Sequence, residues 1–597
     1  MKQTITNRVE SLRQWMEQHD IQAYIIPSTD PHASEYTPAY WECRQWISGF
    51  NGSAGTAVVT TTDAALWTDS RYFIAATEAL DGTPFKLMKE RVEGTPSIAQ
   101  WIAARLKPGD KAGIDGKVFT YNDAMALQDE LLEKGIALVA DFSAPDELWT
   151  EGRPTLPNDP IRIQPLCLAG ETVGEKTNRL MDVVEQQGCN KILITQLDEI
   201  AWLLNLRGND VHCNPVFVAY CIVSRQEIAL YCNPAKVGGD LYAYLDDNNI
   251  KVYDYYKAEL DLMRTHDTIM LSPLTNVTLA AACLNPQRGH AVVANSPIAS
   301  MKAIKNKAEI EGMRRAMRQD GVALVKWLRW LQTAVKEGNQ TEISIDEKLT
   351  ALRSENADFR GLSFDTIAAY NAHGAIVHYE ATPETDVPLK PEGVLLVDTG
   401  AQYECGTTDI TRTLLLGPEA TPEQKHIYTL VLKGHIALSR LKFPRGASGT
   451  QLDLAARYAM WQEGYNFGHG TGHGVGAYLN VHEGPHQIRM NYVPAPIVEG
   501  MTVTDEPGLY LEGRFGVRIE NVLLCVPHTS TEFGTFVGFE PLTLCPIDTR
   551  LIEREIMTPT ETDWLNAYHK TVADTLTPLL DDEADRRWLA EACKPLS

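Results

Sequence analysis

The sequence is poor in basic charge. Its 597 residues contain 54 Lys and Arg against 78 Asp and Glu, which gives a formal net charge of −24. The basic residues are scattered rather than gathered in one stripe. Proteins that bind nucleic acids use basic patches to displace counterions from phosphates. The composition therefore argues against a polyanion partner, and we expect no nucleic-acid binding.

The sequence also lacks a long apolar run. No segment is long enough to span a bilayer, and the first residues lead into a polar amphipathic stretch without the apolar core of a signal peptide. Eleven cysteines are present without any C-x-x-C pair, which argues against a zinc finger and is typical of reduced thiols. We expect a soluble, cytoplasmic protein with no membrane partner.

A chain of this length is too long for a single hydrophobic core and suggests about three or four domains. The first segment alternates a helix over residues 8–19 with short strands over residues 23–26, 55–60 and 65–68. Five prolines lie between residues 143 and 165, a composition typical of a linker.

A weak internal repeat follows this linker. Residues 202–208 (WLLNLRG) resemble residues 46–52 (WISGFNG), and residues 228–231 (IALY) resemble residues 64–67 (AALW). Chance similarity between two tryptophan-containing turns is the alternative. Two related α/β modules in tandem are the simplest interpretation, and neither contains a cluster of catalytic residue types.

The third segment opens near Met301. Apolar residues at helical spacing predict a long helix over residues 307–331, with one face packed in the core. Thr421 as N-cap and Pro422 at the first helical position predict the start of a later helix.

Short motifs in the last third of the chain contain five potential metal ligands: Asp398, Asp409, His473, Glu506 and Glu520. Any one of these motifs is compatible with an ordinary turn, since Asp-Thr-Gly and Glu-Pro-Gly are common turn sequences. Several carboxylates share a dry pocket only if protons or divalent cations offset their repulsion. Four carboxylates with one imidazole therefore predict a pair of hard cations, a centre suited to hydrolysis.

Strand alternation indicates how the two aspartates meet. Residues 394–397 have the pattern of a buried strand that ends by presenting Asp398, and Asp409 lies on the returning strand. The hairpin can therefore aim both carboxylates at one point.

A further strand over residues 517–522 is expected to place Arg518 and Glu520 on one face. Arg518 can then offset surplus negative charge and orient a metal carboxylate, whereas an unrelated surface arginine is the alternative. The glycines around His469 and His473 predict close backbone approach and unusual φ values.

Taken in order, these motifs resemble the metal site of the pita-bread metallopeptidases, the family of methionine aminopeptidase, prolidase and aminopeptidase P. Four segments are similar specifically to the long, three-domain, cytosolic type of aminopeptidase P: residues 359–367 (FRGLSFDTI), 374–379 (GAIVHY), 468–476 (GHGTGHGVG) and 480–485 (NVHEGP). The similarity extends from the first residues, through residues 28–32 (STDPH) and 49–56 (GFNGSAGT), to residues 563–568 (DWLNAY), and is nearly full length.

The resemblance implies a mixed α/β and α+β fold class, with two related N-terminal α/β domains followed by a pita-bread metallopeptidase domain. It implies creatinase-like domain I over residues 1–157, creatinase-like domain II over residues 158–300, and the catalytic domain over residues 301–597. It also implies a homodimer.

The family pattern divides the ligands between two divalent metal ions. Asp398, Asp409 and Glu520 would hold one ion, while Asp409, His473, Glu506 and Glu520 would hold the other. Manganese is the ion that the resemblance implies. Carboxylate-rich ligation agrees with manganese but is also compatible with zinc, cobalt or iron.

The resemblance implies removal of the N-terminal residue from peptides whose second residue is proline. Glu506 would carry the proton of the attacking water toward the departing nitrogen, and His482 would donate to the oxyanion. His378 is the other catalytic imidazole that the resemblance implies. His378, His469, His482 and Arg518 would also contact the substrate.

Three alternatives are weaker. A prolidase cuts only Xaa-Pro dipeptides and shares the metal site, but the chain length and three-segment layout disfavour it. A non-catalytic peptide-binding homologue would have lost ligands that are present here. A metal-free amidinohydrolase of the creatinase type would not keep all five ligands either.

Overall fold

The computed structural model of the chain describes residues 2–284 and 290–596. The chain divides into two compact units, one formed by Met1–Leu166 with Glu171–Ile298 and the other by Cys167–Gly170 with Ala299–Ser597. Across the described residues, no helix combines the length and apolarity needed to cross a membrane.

The first unit begins with a six-stranded sheet in the order β4-β3-β2-β1-β5-β6. Alternate residues of β1 and β2 enter two separate hydrophobic cores, so apolar side chains cover both faces of the sheet. Its strands are β1 Ala23–Pro27, β2 Thr56–Thr60, β3 Ala64–Thr68, β4 Phe85–Lys89, β5 Lys111–Ile114 and β6 Ala137–Val139.

A second six-stranded sheet follows, in the order β12-β11-β10-β8-β13-β14, and the short strands β7 and β9 pair with each other. The strands are β7 Arg162–Ile163, β8 Lys191–Ile194, β9 Leu206–Arg207, β10 Ala219–Val223, β11 Ile228–Cys232, β12 Ile250–Tyr253, β13 Ile269–Leu271 and β14 Ala291–Val293.

The two sheets have the same topology. In each, the strand that comes first in the sequence pairs antiparallel with the second, the second pairs antiparallel with the third, and the remaining neighbours are parallel. Trp46 and Trp202 both lie in short helices that precede the second strand of their sheets. The predicted tandem repeat of α/β modules is therefore confirmed.

Thirteen α-helices are described up to residue 303. They are α1 Lys2–Gln18, α2 Cys43–Ser48, α3 Phe73–Leu80, α4 Ile98–Ala103, α5 Tyr121–Leu132, α6 Ala144–Leu148, α7 Leu166–Ala169, α8 Val173–Gln186, α9 Leu197–Leu203, α10 Leu241–Asp247, α11 Lys257–Arg264, α12 Val277–Cys283 and α13 Pro297–Ala303.

The second unit opens with α14, which ends at Glu337, six residues beyond the predicted end, where Gly338 adopts a positive φ of 82°. Helix α16 begins as predicted, because the Thr421 hydroxyl accepts a hydrogen bond from the Gln424 amide. The helices are α14 Lys307–Glu337, α15 Glu342–Ser354, α16 Pro422–Ser439, α17 Gly449–Gln462, α18 Pro559–Leu576 and α19 Glu583–Ala592.

The strands of this unit form short antiparallel sheets, in the orders β15-β18-β19, β16-β17-β20, β21-β28-β27-β24, β22-β23 and β25-β26. They are β15 Phe359–Leu362, β16 Ile367–Tyr370, β17 Val394–Thr399, β18 Ala401–Tyr403, β19 Gly406–Thr407, β20 Ile410–Leu415, β21 Lys442–Pro444, β22 Gly472–Gly474, β23 Glu483–Ile488, β24 Thr502–Asp505, β25 Gly508–Leu511, β26 Phe515–Arg518, β27 Asn521–Thr531 and β28 Gly534–Pro541.

Strand β17 shows which side of its sheet is available for polar groups. Leu395 and Val397 pack with Trp327 and Leu328 of α14 in one core. Because side chains alternate along a strand, Asp398 points to the face opposite α14. Helix α14 thus covers one face of this sheet with apolar side chains, and the opposite face borders the site.

Candidate active site

Two adjacent antiparallel strands present the two aspartates, as the alternation pattern predicts. Asp398 lies in β17 opposite Thr411 of β20, and Asp409 directly precedes β20. Side-chain alternation then puts Asp409 and Thr411 on one side of the hairpin. Both carboxylates are buried.

The remaining ligand candidates converge on this hairpin. One ligand atom each from Asp409, His473 and Glu520 lie within 4.8 Å of one another. His473 Nε2 is 3.5 Å from Asp409 Oδ2 and 3.5 Å from Glu506 Oε1. Asp398 is close enough for its charge to raise the pKa of Asp409, Glu506 and Glu520. The structure therefore brings all five residues together.

The cluster resists full ionisation. Burial, followed by repulsion from neighbouring carboxylates, raises the pKa of Asp409 and of Glu520 well above their usual values. Burial raises the pKa of Glu506 to about 7, although the Arg518 guanidinium acts in the opposite direction. Without a cation, protons must therefore occupy part of the cluster near neutral pH.

The donor set fits a divalent metal centre. Asp398 Oδ1 is buried and has no hydrogen-bond partner among the described residues. A buried carboxylate oxygen in this state is unfavourable unless a cation meets it. Oxygen donors with a single imidazole suit hard divalent ions, which would also relieve the mutual repulsion of the carboxylates.

Arg518 belongs to the cluster rather than to the surface. Its guanidinium is buried, and burial opposed by nearby Tyr510, Asp398 and Glu506 leaves its pKa above the usual value. Nη2 donates to Asp398 Oδ2 at 2.7 Å, and Nε donates to the same oxygen at 3.1 Å. A permanent positive charge thus holds one oxygen of this aspartate.

The prediction of a single strand over residues 517–522 is wrong in detail. Strand β26 ends at Arg518 and β27 begins at Asn521, with Glu520 between them. The Glu520 N–H leaves the ladder and donates to the Thr411 carbonyl oxygen at 3.0 Å. The interruption turns the glutamate toward the aspartate hairpin.

Tyr510 is a site residue that the sequence motifs did not reveal. Its hydroxyl accepts a hydrogen bond from Arg518 Nη1 at 2.7 Å and lies 2.7 Å from His469 Nε2. Burial raises the pKa of Tyr510 to about 12, so the hydroxyl stays protonated at neutral pH. The hydroxyl therefore links the Arg518–Asp398 pair to His469, which is predicted to contact the substrate. Hairpin alternation was the available signal, since Gly508 is opposite Arg518 and Tyr510 is two residues further along.

His482 lies beside the ligand cluster. Its ring meets the His473 ring edge to face, with 4.4 Å between centroids. Its charge also lowers the pKa of Asp409 and Glu506, opposing the effect of burial.

His378 lies in a loop that borders the same cluster. The preceding carbonyl oxygen, of Val377, accepts from Arg518 Nη2 at 3.5 Å. The following residue, Tyr379, donates through its hydroxyl to the buried Glu342 carboxylate at 2.8 Å. The loop is thus held on both sides of His378. The catalytic roles of both imidazoles stay predictions.

The glycines on either side of His473 allow neighbouring backbone to approach closely, and they do not adopt unusual φ values. A Cβ on Gly472 would clash with the Thr504 carbonyl oxygen, and one on Gly474 would clash with that of Glu483. Neither glycine has a positive φ. The predicted close approach is confirmed, and the predicted unusual φ is wrong at these two positions.

A buried ion pair lies behind the aspartate hairpin and was also missed from the sequence. Arg353 Nε donates to Asp320 Oδ1 at 2.8 Å, and both side chains are buried. Arg353 Nη1 donates to the Thr399 hydroxyl, while the Thr408 hydroxyl donates to Asp320. These threonines adjoin the two aspartates, so the ion pair fixes the backbone on which the ligands stand.

Comparison with known proteins agrees with this geometry. Two matches to the creatinase/prolidase N-terminal domain cover residues 8–145 and 152–309. Metallopeptidase family M24 matches residues 311–527, and the C-terminal region of that family matches residues 535–596.

The chain is similar to full-length proteins of this kind. Aminopeptidase P2 of Arabidopsis thaliana is 39% identical over 635 residues, covering 100% of this chain and 89% of that protein. Xaa-Pro aminopeptidase 1 of Dictyostelium discoideum is 38% identical over 623 residues, covering 100% of this chain and 97% of that protein.

A solved structure extends the similarity to the fold. The crystal structure of X-prolyl aminopeptidase from Caenorhabditis elegans, described as a cytosolic enzyme with a di-nuclear active site, superposes with a TM-score of 0.95 at 33% identity. The match covers 99% of this chain and 100% of that chain. The chain therefore belongs to metallopeptidase family M24 and contains two creatinase/prolidase N-terminal domains and the C-terminal region of that family.

Proposed function

We propose that the protein is an Xaa-Pro aminopeptidase, which hydrolyses the bond between the first residue of a peptide and a proline at position two. The convergence of Asp409, His473 and Glu520 within 4.8 Å carries this proposal. Glu506 lies 3.5 Å from His473, and the charge of Asp398 acts on Asp409. The nitrogen of an Xaa-Pro bond has no N–H and its ring fixes φ. Peptidases that need that N–H as a donor fail on such bonds.

The proposed cofactors are two divalent metal ions, and manganese is the ion proposed first. Asp398, Asp409 and Glu520 would hold one ion, and Asp409, His473, Glu506 and Glu520 would hold the other. When bound, such a pair polarises the scissile carbonyl and lowers the pKa of water. The di-nuclear site described for the Caenorhabditis elegans enzyme supports two ions, and the oxygen-rich donor set supports manganese.

The protein's own residues would move the protons and place the substrate. Glu506 accepts the proton of the attacking water and passes it to the departing proline nitrogen. His482 donates to the oxyanion that forms on the scissile carbonyl. His378 and His469 line the pocket for the proline, while Arg518 holds Asp398 in place.

We also propose that the protein forms a homodimer in the cytosol. Helix α17 and its C-terminal end expose apolar side chains at Leu454, Tyr458, Trp461 and Tyr465. Met490 and Tyr492 are exposed as well, and Asn491 between them contacts the start of the same helix through Thr450. Several exposed apolar side chains on and near one helix are typical of an interface. Sedimentation of Leu454→Glu/Tyr458→Glu should then give monomers, and a dimer of unchanged stability would locate the interface elsewhere.

The three-domain division at residues 1–157, 158–300 and 301–597 is part of the same proposal. Two sheets of equal topology within the first compact unit support the boundary between the first two domains. Limited proteolysis with mass determination of the fragments would test both boundaries.

A substrate panel tests the proposed reaction. Tripeptides of the form Xaa-Pro-Yaa should lose their first residue, whereas Xaa-Ala-Yaa tripeptides should remain intact. Cleavage restricted to Xaa-Pro dipeptides would indicate the prolidase alternative. Binding of the tripeptides without any cleavage, at full metal occupancy, would indicate a non-catalytic peptide-binding homologue.

A further inference from the structure

The ladder between β24 and β27 ends where it meets the ligand cluster. Asp505 and Asn521 form its last pair. Glu506 directly follows β24 and Glu520 directly precedes β27, so both lie on the side of this last pair that faces the site. The strands separate there, because the Glu506 N–H donates at 2.9 Å and the Glu520 N–H at 3.0 Å to carbonyls outside this ladder.

One buried imidazole joins the two strands at this last pair. His435 of α16 has no exposed surface. Its Nδ1 lies 3.1 Å from the Asp505 carbonyl oxygen, and its Nε2 lies 3.3 Å from the Asn521 side-chain nitrogen. The Ser439 hydroxyl, one helical turn later, donates to Asp505 Oδ2 at 2.7 Å. Helix α16 therefore contacts both strands at the point where they part.

Hydrogen-bond chemistry fixes the orientation of this bridge. Arg412 Nη2 donates to Asn521 Oδ1 at 2.9 Å, and a guanidinium can only donate. The amide nitrogen of Asn521 must therefore face His435. Nε2 of the ring accepts this N–H, and Nδ1 carries the proton that the Asp505 carbonyl accepts. Arg412 Nη1 also donates to the Glu520 carbonyl oxygen at 2.7 Å, which holds the second strand from behind.

We propose that His435 is a positioning residue for the glutamate pair Glu506 and Glu520. Asp505 and Asn521 contact Ser439 and His435 of α16 through their side chains. The two glutamates face the site instead, since Glu506 Oε1 lies 3.5 Å from His473 Nε2 and Glu520 Oε2 accepts from the Thr411 hydroxyl. The imidazole sets the separation of the strands one residue before the glutamates, and hence the distance between their carboxylates. The inference rests on the proposed function, in which these two carboxylates share a metal ion.

Two substitutions test this role by measuring metal binding directly. His435→Phe keeps a planar aromatic ring, although a larger one, and removes both hydrogen bonds. His435→Gln offers an amide N–H and an amide oxygen in their place. Mn²⁺ binding to metal-stripped protein is measured by calorimetry, and the Co²⁺ absorption spectrum reports ligand geometry. We expect His435→Phe to weaken Mn²⁺ binding about 10- to 100-fold, the usual effect of losing a partner behind a ligand. His435→Gln should recover most of the affinity and the Co²⁺ spectrum.

The matched control is His569→Phe. His569 is also buried in this unit, and its Nε2 accepts at 3.0 Å from the N–H of Ile547, a residue outside both β24 and β27. This variant should lower the thermal unfolding temperature and leave the Kd for Mn²⁺ unchanged. A general loosening of the core would instead weaken binding in both phenylalanine variants, and that result would overturn the positioning role.

Folded His435→Phe with wild-type Kd and Co²⁺ spectrum would also overturn the role. If His435→Phe yields no folded protein, Asn521→Ser replaces it, because serine keeps an acceptor near Arg412 and removes the amide that reaches His435. The same comparison of Kd and spectrum then decides. Wild-type protein that binds no metal would overturn the proposed function together with this inference, whereas two bound ions with unchanged variants would overturn the inference alone.

Discussion

Arg518 and Asp398 form a buried pair in which both hydrogen bonds between the two side chains go to one carboxylate oxygen. Nη2 and Nε donate to Oδ2 at 2.7 and 3.1 Å, and Oδ1 has no partner in the described part of the chain. The arginine thus fixes the rotation of the carboxylate and leaves the other oxygen for a cation. This division of the two oxygens assigns Arg518 a direct influence on metal binding.

Removing this guanidinium should weaken the metal site. Arg518→Met keeps the length of the side chain and removes both donors, so Asp398 loses its orientation. We expect the affinity for Mn²⁺ to fall about 10- to 100-fold, measured by calorimetry on stripped protein. Arg518→Lys should be intermediate, because one ammonium cannot reproduce the fork of two N–H groups. Unchanged affinity in Arg518→Met would show that Asp398 is oriented by other groups.

His482 is predicted to act on the oxyanion rather than on the metals. His482→Ala should keep its metal content and lose roughly 10²-fold in kcat, the usual effect of removing one such donor. The exposed His528 provides a control, since His528→Ala should leave kcat unchanged. Steady-state kinetics with metal analysis of the same samples decides the matter. Equal kcat in both variants would place the oxyanion donor elsewhere.

Glu506 should be separable from a carboxylate that only binds metal. Glu506→Gln keeps the volume and one ligand oxygen but cannot accept a proton, so kcat should fall by orders of magnitude. A carboxamide is also a weaker ligand, so kcat is measured at saturating Mn²⁺ with the occupancy determined. Near-normal kcat at full occupancy would make Glu506 a ligand only and direct attention to His378 and His482.

His569 gives the protein a specific sensitivity to acid. Burial, with a smaller contribution from the Arg412 charge, lowers the pKa of His569 to about 4. The unfolded chain binds a proton at this residue below about pH 6.5, whereas the folded chain does so only near pH 4. The free energy of unfolding therefore has its full value above pH 6.5 and decreases as the pH falls toward 4. His569 accounts for a decrease of up to about 3 kcal/mol.

The glutamine variant isolates this residue from the other titrating groups. His569→Gln retains an acceptor for the Ile547 N–H but does not titrate. Its unfolding temperature should fall less than that of the wild type between pH 7.5 and pH 5, as measured by calorimetry. Parallel pH profiles for the two proteins would show that His569 does not contribute.

Local patterns in the sequence predicted the parts of the site that depend on alternation and spacing. Asp398 lies in β17 and Asp409 directly precedes β20, as the apolar run over residues 394–397 and the side-chain alternation over residues 409–413 predict. The start of α16 was predictable from the capping residue Thr421 and from Pro422, and the tandem repeat from the similarity of short segments.

Contacts between distant segments were not predictable in this way. Arg353 meets Thr399, and Tyr510 meets His469, only after the sheets have packed. The interruption of the strand at Glu520 likewise depends on a backbone hydrogen bond to Thr411, over a hundred residues earlier in the chain. Pairings of this kind are set by tertiary packing, which periodicity does not encode.

Metal titration of stripped protein tests the central claim most directly. Chelation followed by dialysis removes the ions, and Mn²⁺ is then returned while bound metal and hydrolysis of an Xaa-Pro-Yaa tripeptide are measured on the same samples. The proposed function predicts that turnover disappears with the metal and returns as occupancy approaches about two ions per chain. Full turnover in protein shown to be free of metal would contradict it.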